Sequence, residues 1–541
     1  MNSETARPSS IHHVLCLGGG YTAIYLAKQL RSAVRAGRVR LTVVDVDNFQ
    51  CFHGLIPDMI TGKIQPTDTL SASRRLFAPG NFVNADVEKI DLERRRVTVA
   101  RLLDGRQLEL DYDHLVLALG STEHLGRFPG LAEHSFRLKA YSGCLAVRNQ
   151  FISMLELADM EPDPVERARL LTFVVVGGNF AGVEVAGELR EFLPEVARKY
   201  FPRINVEEIK VVLISSSKGI LPELGTRTGG LSDYAERKLR ADPHVELICN
   251  MRLASASAEE AILSDGRRIP TRTVVSCTGM SVVPVLEPLA LERNAQQRIV
   301  TDRHARVPGQ TNVWAGGDCA AVPLADGTTA PALAIWAITV GDLIGKNILR
   351  QMDGRELLPY RFNGLGDACV LGHRDAVGQV KGIQVRGLVA WLIWRVFMII
   401  YLPSPEKKFR TVWNWLMLPF FGRDILNLRV TPPVNLAPVF FDAGQDIVRE
   451  GEAGNSLFLI QQGEVEVLRR GADGMQERVA LLEAGQQFGE VAVFKGGRRT
   501  ATVRATTRVR LVQMRRDAAT LLAQSSGVIR ESLQATPAPR S

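Results

Sequence analysis

Two separate segments of this chain each run from an apolar strand through a glycine turn into a helix. The first extends from His12 to Leu30 (HHVLCLGGGYTAIYLAKQL) and the second from Leu171 to Leu193 (LTFVVVGGNFAGVEVAGELREFL). This order turns backbone N–H groups and a helix N-terminus toward a pyrophosphate. One such unit is weak evidence, because glycine-rich turns are common. Two units about 160 residues apart predict two bound dinucleotides that exchange electrons.

Size, charge and cysteine usage narrow the class of protein. A chain of 541 residues is too long for one core, so we expect three or more domains. The net charge of +8 suits nucleotide ligands or an anionic membrane surface, and without a nucleic-acid-binding motif we expect no nucleic-acid partner. The seven cysteines include no CxxC pair, so we expect neither a metal centre nor a redox dithiol. The polar N-terminus lacks a signal-peptide core, which predicts a cytoplasmic protein with reduced thiols.

The predicted fold class is α/β, with two Rossmann-like dinucleotide-binding domains, an amphipathic membrane-associating region and an all-β jelly-roll domain. The second dinucleotide unit interrupts the first domain, which resumes after it. The predicted parts are a first dinucleotide-binding domain at 11–165 and 281–360, a second at 166–280, the membrane-associating region at 361–430 and the β domain at 431–541.

Two acidic residues follow strands of the first domain. Asp45 ends the strand RVRLTVVD, where an acid can bond the ribose of an adenosine. Asp318 follows a strand and two glycines in NVWAGGDCAAVP, where it can reach a ribityl or pyrophosphate group. Both are therefore candidate ligands of the first dinucleotide.

The region before the β domain is rich in tryptophan and basic residues. The run from Gly387 to Leu402 (GLVAWLIWRVFMIIYL) is too short to span a bilayer comfortably and has Arg395 near its middle. Together with the following WNWLMLPFF, it predicts an amphipathic segment that lies at a membrane interface. The alternative is a pair of helices buried in the core or in a homodimer interface. Pro432–Pro433 predicts a linker to the next domain.

Short alternating strands separated by glycines fill the last hundred residues, which is typical of a jelly roll. Within them lies FGEVAVFKGGRRTATV. Gly489 opens a short helix that can face a phosphate, and Glu490 can accept a ribose 2′-OH. Arg499 can pair with a cyclic phosphate, and Thr500 can add a hydroxyl bond.

This segment resembles the phosphate-binding cassette of cyclic-nucleotide-binding domains. The resemblance implies cyclic AMP or cyclic GMP as a regulatory ligand, and Thr500 suits either nucleotide. The alternative is a domain that has kept this fold and lost the ligand.

The preceding four-fifths of the chain resembles the type II NADH dehydrogenases, which are single-chain flavoproteins. The resemblance rests on GGGYTA, FHGLIPDMITG, VVVGGNFAGVEVAGEL, AGGDCA and GRDIL. It implies FAD on the first domain, NADH or NADPH on the second, and quinone as a candidate electron acceptor. It also implies peripheral attachment to the cytoplasmic face of a membrane.

The same resemblance assigns site residues. The adenosine half of FAD would be held by Gly18, Gly20, Ala23 and Asp45, and its ribityl–phosphate part by Asp318. The pyrophosphate of the nicotinamide cofactor would meet Gly177, Gly178 and Gly182, and Glu184 would be the catalytic residue near the nicotinamide.

Several positions depart from that family pattern. Asn179 replaces the middle glycine of GxGxxG, and its side chain would crowd a pyrophosphate. Ser215 ends the strand where an acid for the NADH ribose is expected, which leaves NADPH open. Ile335 and Thr339 stand where the family has two glutamines that face quinone.

Two other interpretations remain open from the sequence. A sulfide:quinone oxidoreductase has the same architecture but needs redox cysteines, for which Cys144 and Cys369 are the candidates. A non-catalytic redox and cyclic-nucleotide sensor would explain the unusual residues as loss of an enzyme site.

Overall fold

The computed structural model describes residues 11–102, 104–123, 129–224, 230–428, 437–452, 454–471, 475–494, 498–516 and 519. The predicted linker Pro432–Pro433 lies outside these residues. An α/β body is followed by a β domain, so this part of the fold prediction is confirmed.

The first part of the chain forms most of a seven-stranded sheet and its covering helices. Its strands are β1 His12–Leu17, β2 Val39–Asp45, β3 Phe49–Cys51, β4 Leu70–Ala72, β5 Asn81–Asp91, β6 Arg96–Arg101, β7 Gln107–Asp111, β8 His114–Leu117, β9 Thr122–Glu123 and β10 Ser135–Arg137. Its helices are α1 Tyr21–Arg35, α2 Ile56–Ile60, α3 Ser73–Phe77 and α4 Leu131–His134.

The middle part forms a five-stranded parallel sheet and then returns to the first one. It comprises α5 Tyr141–Met160, α6 Pro164–Leu170, β11 Thr172–Val176, α7 Phe180–Tyr200, β12 Lys210–Ile214, α8 Leu231–Arg240, β13 Val245–Ile248, β14 Leu253–Ala256, β15 Glu260–Leu263, β16 Arg268–Pro270, β17 Thr273–Ser276 and β18 Met280–Ser281. The returning elements are β19 Ile299–Val300, β20 Val313–Ala315, β21 Ala320–Ala321 and α9 Ala334–Met352.

The strand orders place the two glycine turns at the edges of two sheets. The large sheet has the order β20-β8-β1-β2-β5-β6-β7, and the second sheet has the order β10-β17-β11-β12-β13. The central strands of both are parallel and almost wholly buried, as expected for sheets covered on both faces. Each glycine turn follows the carboxyl end of such a strand, which is where open α/β sheets bind their ligands.

Close backbone contact fixes α9 against α1. A Cβ atom on Gly341 would lie 2.2 Å from the carbonyl oxygen of Thr22, so the two helices can approach this closely only with glycine there. The hydroxyl of Thr22 also donates to the carbonyl of Ala337 across the same contact, at 3.2 Å. The segment after β20 is thereby held beside the first glycine turn.

A three-stranded sheet and two helices follow α9. They are β22 Gly366–Gly372, β23 Asp375–Val380, β24 Ile383–Arg386, α10 Gly387–Tyr401 and α11 Pro405–Phe421. The sheet packs on α7, where a Cβ on Gly187 would lie 2.7 Å from the backbone of Leu371. Among the helices that the structure describes, none combines the length and apolar character needed to cross a bilayer.

The C-terminal domain consists of two four-stranded antiparallel sheets, β25-β32-β27-β30 and β26-β31-β28-β29. Its elements are β25 Ala437–Phe441, β26 Asp446–Val448, β27 Ser456–Gln462, β28 Val465–Arg470, β29 Gln476–Leu482, β30 Gln487–Phe488, α12 Glu490–Phe494, β31 Thr502–Ala505 and β32 Val509–Arg515. Alternate residues of these strands form one apolar core.

Buried charges join α2, α7 and α10. The Lys63 ammonium lies 2.6 Å from a carboxylate oxygen of Glu188 and 3.7 Å from one of Asp58. Asp58 also accepts hydrogen bonds from Arg395 and from the indole of Trp415, both at 2.8 Å. Because these charges are out of water, each depends on its partners.

We expect the substitution Lys63→Met to lower the free energy of unfolding of the flavin-loaded protein by about 3–5 kcal/mol, since it leaves Glu188 buried with a weaker partner. Chemical denaturation measures this loss. Lys346→Met, on an exposed face of α9, is the matched control and should stay within about 0.5 kcal/mol of the parent. Equal effects of the two substitutions would contradict this role of the buried lysine.

Candidate functional site

The first glycine turn needs glycine for a tight bend and leaves room in front of α1. Gly18 has φ of +100°, and a Cβ there would lie 2.2 Å from the carbonyl oxygen of Ala118. A Cβ on Gly20 would meet nothing within 4 Å. Ala23 is buried in the first turn of α1. The backbone N–H groups at the start of this helix can therefore meet a phosphate without obstruction.

Asp45 ends β2 beside this turn. One of its carboxylate oxygens accepts the N–H of Gly19 at 2.5 Å, and the other accepts the N–H of Asp47 at 2.8 Å. Burial raises the pKa of the Asp45 carboxyl, and these backbone bonds oppose that shift. The remaining acceptor capacity suits a ribose hydroxyl.

Asp318 comes to the same edge of the large sheet, because β20 pairs in parallel with β8. One of its carboxylate oxygens lies 2.8 Å from the ammonium of Lys139 and accepts the hydroxyl of Ser121 at 3.0 Å. The sequence did not predict Lys139 and Ser121 as residues of this site. Neither belongs to a glycine motif, and only the return of β20 to the first sheet brings them to Asp318.

The three glycines of the second turn are needed for different reasons. Gly177 has φ of +125°. A Cβ on Gly182 would lie 1.8 Å from the carbonyl oxygen of Gly177. A Cβ on Gly178 would lie 2.4 Å from the hydroxyl oxygen of Ser215. Helix α7 can therefore begin directly against the turn, with its N-terminus facing the carboxyl end of β11.

Asn179 is the N-cap of α7 and has an ordinary extended backbone, with φ of −83°. Its side-chain oxygen accepts the N–H of Gly182 at 3.0 Å, and its amide donates to the carbonyl of Cys277 at 2.6 Å. The side chain is held against the protein at both polar atoms, so the crowding suggested by the sequence is avoided. The cap does occupy one N–H that a phosphate could otherwise use.

Ser215 follows β12 and is almost fully buried under Gly178. Its hydroxyl donates to the carbonyl of Gly219 at 2.7 Å. The turn at 215–219 contains no acidic residue, whereas Lys218 is exposed on it. The turn itself therefore supplies no carboxylate to a ribose, although an oxygen of Glu236 from α8 would lie 3.2 Å from a Cβ on Gly219.

Glu184 lies one turn further along α7 and is partly buried. Its carboxyl group is 3.4 Å from the backbone nitrogen of Val370. Burial raises the pKa of Glu184 to about 8, and the nearby carboxylates of Glu188 and Asp58 add to the shift. At neutral pH this side chain is mostly protonated and can donate a hydrogen bond.

The positions of the two missing glutamines lie in an apolar, aromatic environment. Ile335 is buried, and the hydroxyl of Thr339 is 2.7 Å from that of Tyr360. The rings of Trp336, Tyr360 and Phe362 pack together, with centroid distances of 5.0 to 6.5 Å. The Thr339 hydroxyl also lies 3.2 Å from the carbonyl of Ile335 and 3.1 Å from that of Trp336, so it can donate there and accept from Tyr360.

The outer faces of α10 and α11 expose an apolar surface, here called the outer face. Its members include Leu388, Val389, Leu392, Val396, Ile400, Phe409, Trp413, Leu416, Phe420 and Phe421. Arg395, grouped in the sequence with the interfacial basic residues, instead points inward. It is 7% exposed, bonds Asp58, and packs on the rings of Trp391, Trp394 and Trp415.

All seven cysteines are free. Cys144 and Cys369 are fully buried in the same apolar cluster. Burial raises the pKa of the Cys144 thiol well above its usual value, so this group is not a thiolate at neutral pH. The structure gives neither cysteine the electropositive, accessible setting of a redox thiol.

In the β domain, a cavity of about 330 Å³ brings the four predicted nucleotide-binding residues together. Gly489, Glu490, Arg499 and Thr500 line it beside apolar side chains of β26, β28, β29 and β31. Arg499 is buried, and one terminal nitrogen of its guanidinium donates to the carbonyl of Gly489 at 2.9 Å. The cavity thus has a charged end and an apolar end, as a nucleotide requires.

Comparisons with curated proteins agree with this architecture. The chain is 27% identical over 419 residues to a probable NADH dehydrogenase of Dictyostelium discoideum, covering 76% of this chain and 90% of that protein. It is 28% identical over 427 residues to the type II NADH:quinone oxidoreductase Ndh of Mycobacterium tuberculosis, covering 76% and 89% respectively.

Solved structures show the same fold. NDH2 from Plasmodium falciparum, solved in complex with NADH, matches with a TM-score of 0.70 at 15% identity, over 77% of this chain and all of that one. The sulfide:quinone oxidoreductase of Aquifex aeolicus matches with a TM-score of 0.57 at 16% identity, over 76% and 96%.

Two family models match different parts of the chain. Residues 438–526 match the cyclic nucleotide-binding domain, and residues 12–341 match the model described as pyridine nucleotide-disulphide oxidoreductase. Since the second match spans more than half of the sequence, this chain belongs to the pyridine nucleotide-disulphide oxidoreductase family and carries in addition a cyclic nucleotide-binding domain.

Proposed function

We propose that this chain is an FAD-dependent NAD(P)H dehydrogenase that passes electrons to a quinone. The observation that carries the proposal is the pair of turns at Gly18 and Gly177, each of which excludes a side chain and opens onto a helix N-terminus. Relatives named NADH dehydrogenase or NADH:quinone oxidoreductase align with three-quarters of the chain and support it.

The residues at the first turn fit FAD. The space before Gly20 and the start of α1 would receive its pyrophosphate, with Ala23 packed behind them and the Asp45 carboxylate on the adenosine ribose. Asp318 would meet the ribityl–phosphate part, with Lys139 offsetting its charge. When bound, the flavin accepts a hydride from reduced nicotinamide and delivers electrons to an acceptor.

The second turn would hold the reduced nicotinamide cofactor through Gly177, Gly178 and Gly182. The turn after β12 lacks an acid and exposes Lys218, so we propose that it accepts NADPH as well as NADH. Anaerobic titration of the purified protein with each cofactor tests this. We expect bleaching of the yellow colour by both.

Three other outcomes of this titration are informative. Bleaching by NADH alone would overturn the proposed tolerance of NADPH. A yellow protein bleached by neither cofactor would favour the non-catalytic sensor. A colourless protein that cannot be reconstituted with flavin would overturn the dehydrogenase itself. After bleaching, reoxidation by a panel of quinones of different ring size tests the acceptor.

We propose that protonated Glu184 donates a hydrogen bond near the nicotinamide. Its pKa of about 8 then predicts that the rate of flavin reduction falls above pH 8 in the parent protein. Glu184→Gln keeps a neutral donor and should give a flat profile over the same range. Stopped-flow absorbance measures both. The same fall in both proteins would assign it to another group.

The same pKa also has a consequence for stability. Between about pH 4.5 and 8 the unfolded chain releases the Glu184 proton while the folded chain retains it, so the free energy of unfolding falls as the pH rises. Glu184→Gln should therefore gain stability over the parent across this window. Glu156→Gln, at an exposed position of α5, is the control and should show no such gain.

We propose that the outer face of α10 and α11 attaches the protein peripherally to the cytoplasmic face of a membrane. Phe409, Phe420 and Phe421 are 72–79% exposed there, which is unusual for large apolar side chains on a water-facing surface. Their replacement by serine should abolish sedimentation with anionic lipid vesicles. Serine at Met160 and Val165, which are exposed elsewhere, should not. If the parent protein is instead a dimer in the absence of detergent and the serine variant is a monomer, the surface serves self-association.

A further inference from the structure

Arg499, which the sequence assigns to a cyclic phosphate, holds a carboxylate from the oxidoreductase body. A terminal nitrogen of its guanidinium lies 2.5 Å from Oε1 of Glu133, and both side chains are nearly inaccessible. The same oxygen accepts the backbone N–H groups of Asn455 at 2.6 Å and Ser456 at 3.0 Å. Three donors of the β domain thus converge on one anionic oxygen of another domain.

Three of the five N–H groups of the guanidinium donate to acceptors. Nη2 donates to Glu133 and to the carbonyl of Ser456, at 2.7 Å, and Nη1 donates to the carbonyl of Gly489. Within the described part of the chain, the buried Nε has no hydrogen-bond partner. Arg499, which also lines the nucleotide-sized cavity, therefore retains donor capacity that the described residues do not use.

A phosphate that binds arginine in a bidentate manner needs two N–H groups on one edge. Because Cδ blocks the edge next to Nη1, both usable edges include Nη2. Each proton of Nη2 already has an acceptor, either Glu133 or the Ser456 carbonyl. The carbonyl is fixed in β27, whereas Glu133 belongs to a separate domain, so the carboxylate is the partner that can leave.

Glu133 is carried by α4, which lies between two domains. A Cβ on Gly130 would lie 1.8 Å from the carbonyl oxygen of Ala256, and Leu131 is buried in the core of the second dinucleotide-binding domain. Ala132, by contrast, is buried in the core of the β domain. Release of Glu133 would therefore loosen the contact between the β domain and the oxidoreductase.

The other ion pairs that the described residues make across this interface are weaker. Arg510 lies 3.0 Å from Asp86, and Arg508 pairs with Glu287. These side chains are about one-third exposed, so water screens their attraction. Among the ion pairs described at the interface, the buried one between Glu133 and Arg499 is the one most sensitive to a competing anion.

The same segment runs on to the proposed flavin site. α4 leads directly into β10, which pairs in parallel with β17 of the second sheet. Lys139, six residues after Glu133, holds Asp318, and its carbonyl is 2.8 Å from a ring nitrogen of His53. Movement of α4 can therefore be transmitted along a few residues of the chain to Lys139, and from there to Asp318.

We propose that Glu133 is an intramolecular competitor of the cyclic phosphate for Arg499, so that binding of a cyclic nucleoside monophosphate releases the β domain from α4. This inference rests on the proposed cyclic-nucleotide-binding role of the cavity. It makes Glu133, from outside the domain, a determinant of its nucleotide affinity.

Titration of the full-length, flavin-loaded protein with cyclic AMP and cyclic GMP tests the competition. Glu133→Gln keeps the shape of the side chain and removes its charge, and we expect at least fivefold tighter binding, in the range of ordinary coupling between sites. Glu156→Gln, at an exposed position of α5 outside the ion pairs of this interface, is the matched control and should bind as the parent does.

Equal affinity of the parent and of Glu133→Gln would overturn the competition, and weaker binding by Glu133→Gln would overturn it too, because Glu133 would then orient Arg499 for the ligand. Absence of binding to both proteins would overturn the cyclic-nucleotide assignment itself, and this inference with it. The outcomes are therefore distinguishable.

A second measurement needs no variant. Hydrogen exchange of the parent protein should become faster at residues 131–139 and at 455–456 when the nucleotide is added, because α4 loses its partner. Unchanged or slower exchange at these residues, under conditions where the ligand is bound, would overturn the release of the β domain.

Discussion

Lys63 is the buried charge on which the arrangement of the oxidoreductase body depends. It lies between Asp58 of the first domain and Glu188 on α7 of the second, and Asp58 in turn holds Arg395 of α10. Loss of one partner would leave another charge unpaired in a medium that solvates it poorly. The network therefore helps to fix the relative positions of the two glycine turns and of the C-terminal helices.

Local features of the sequence were sufficient for much of the site. Gly18 and Gly177 adopt backbone conformations that few other residues tolerate, and Asp45 ends its strand beside the first turn. Glu490 and Arg499 line one cavity, which agrees with the resemblance of their segment to a phosphate-binding cassette. These residues come together because each motif is local and its geometry is set largely by its own backbone, and their roles in binding stay predictions.

Contacts between distant segments could not be predicted. Arg395 faces inward because it binds Asp58, which is far away in the sequence, whereas the sequence alone grouped it with the basic residues of an interfacial segment. Glu133 and Arg499 are 366 residues apart, and no motif surrounds the glutamate. From the sequence, the Asn179 side chain was expected to crowd a pyrophosphate. Its hydrogen bond to Cys277, which follows the distant strand β17, could not be foreseen.

The hydroxyl pair of Thr339 and Tyr360 limits how an acceptor can be recognised near α9. Thr339 can donate to a carbonyl of its own helix and accept from Tyr360, so both hydroxyl protons are used within a packed set of aromatic rings. A headgroup that docked against these rings would gain aromatic contacts but no hydrogen bond from a side-chain amide. Selection among oxidants at this surface would then depend on their planarity and size. Chemically different flat molecules could therefore bind there and accept electrons.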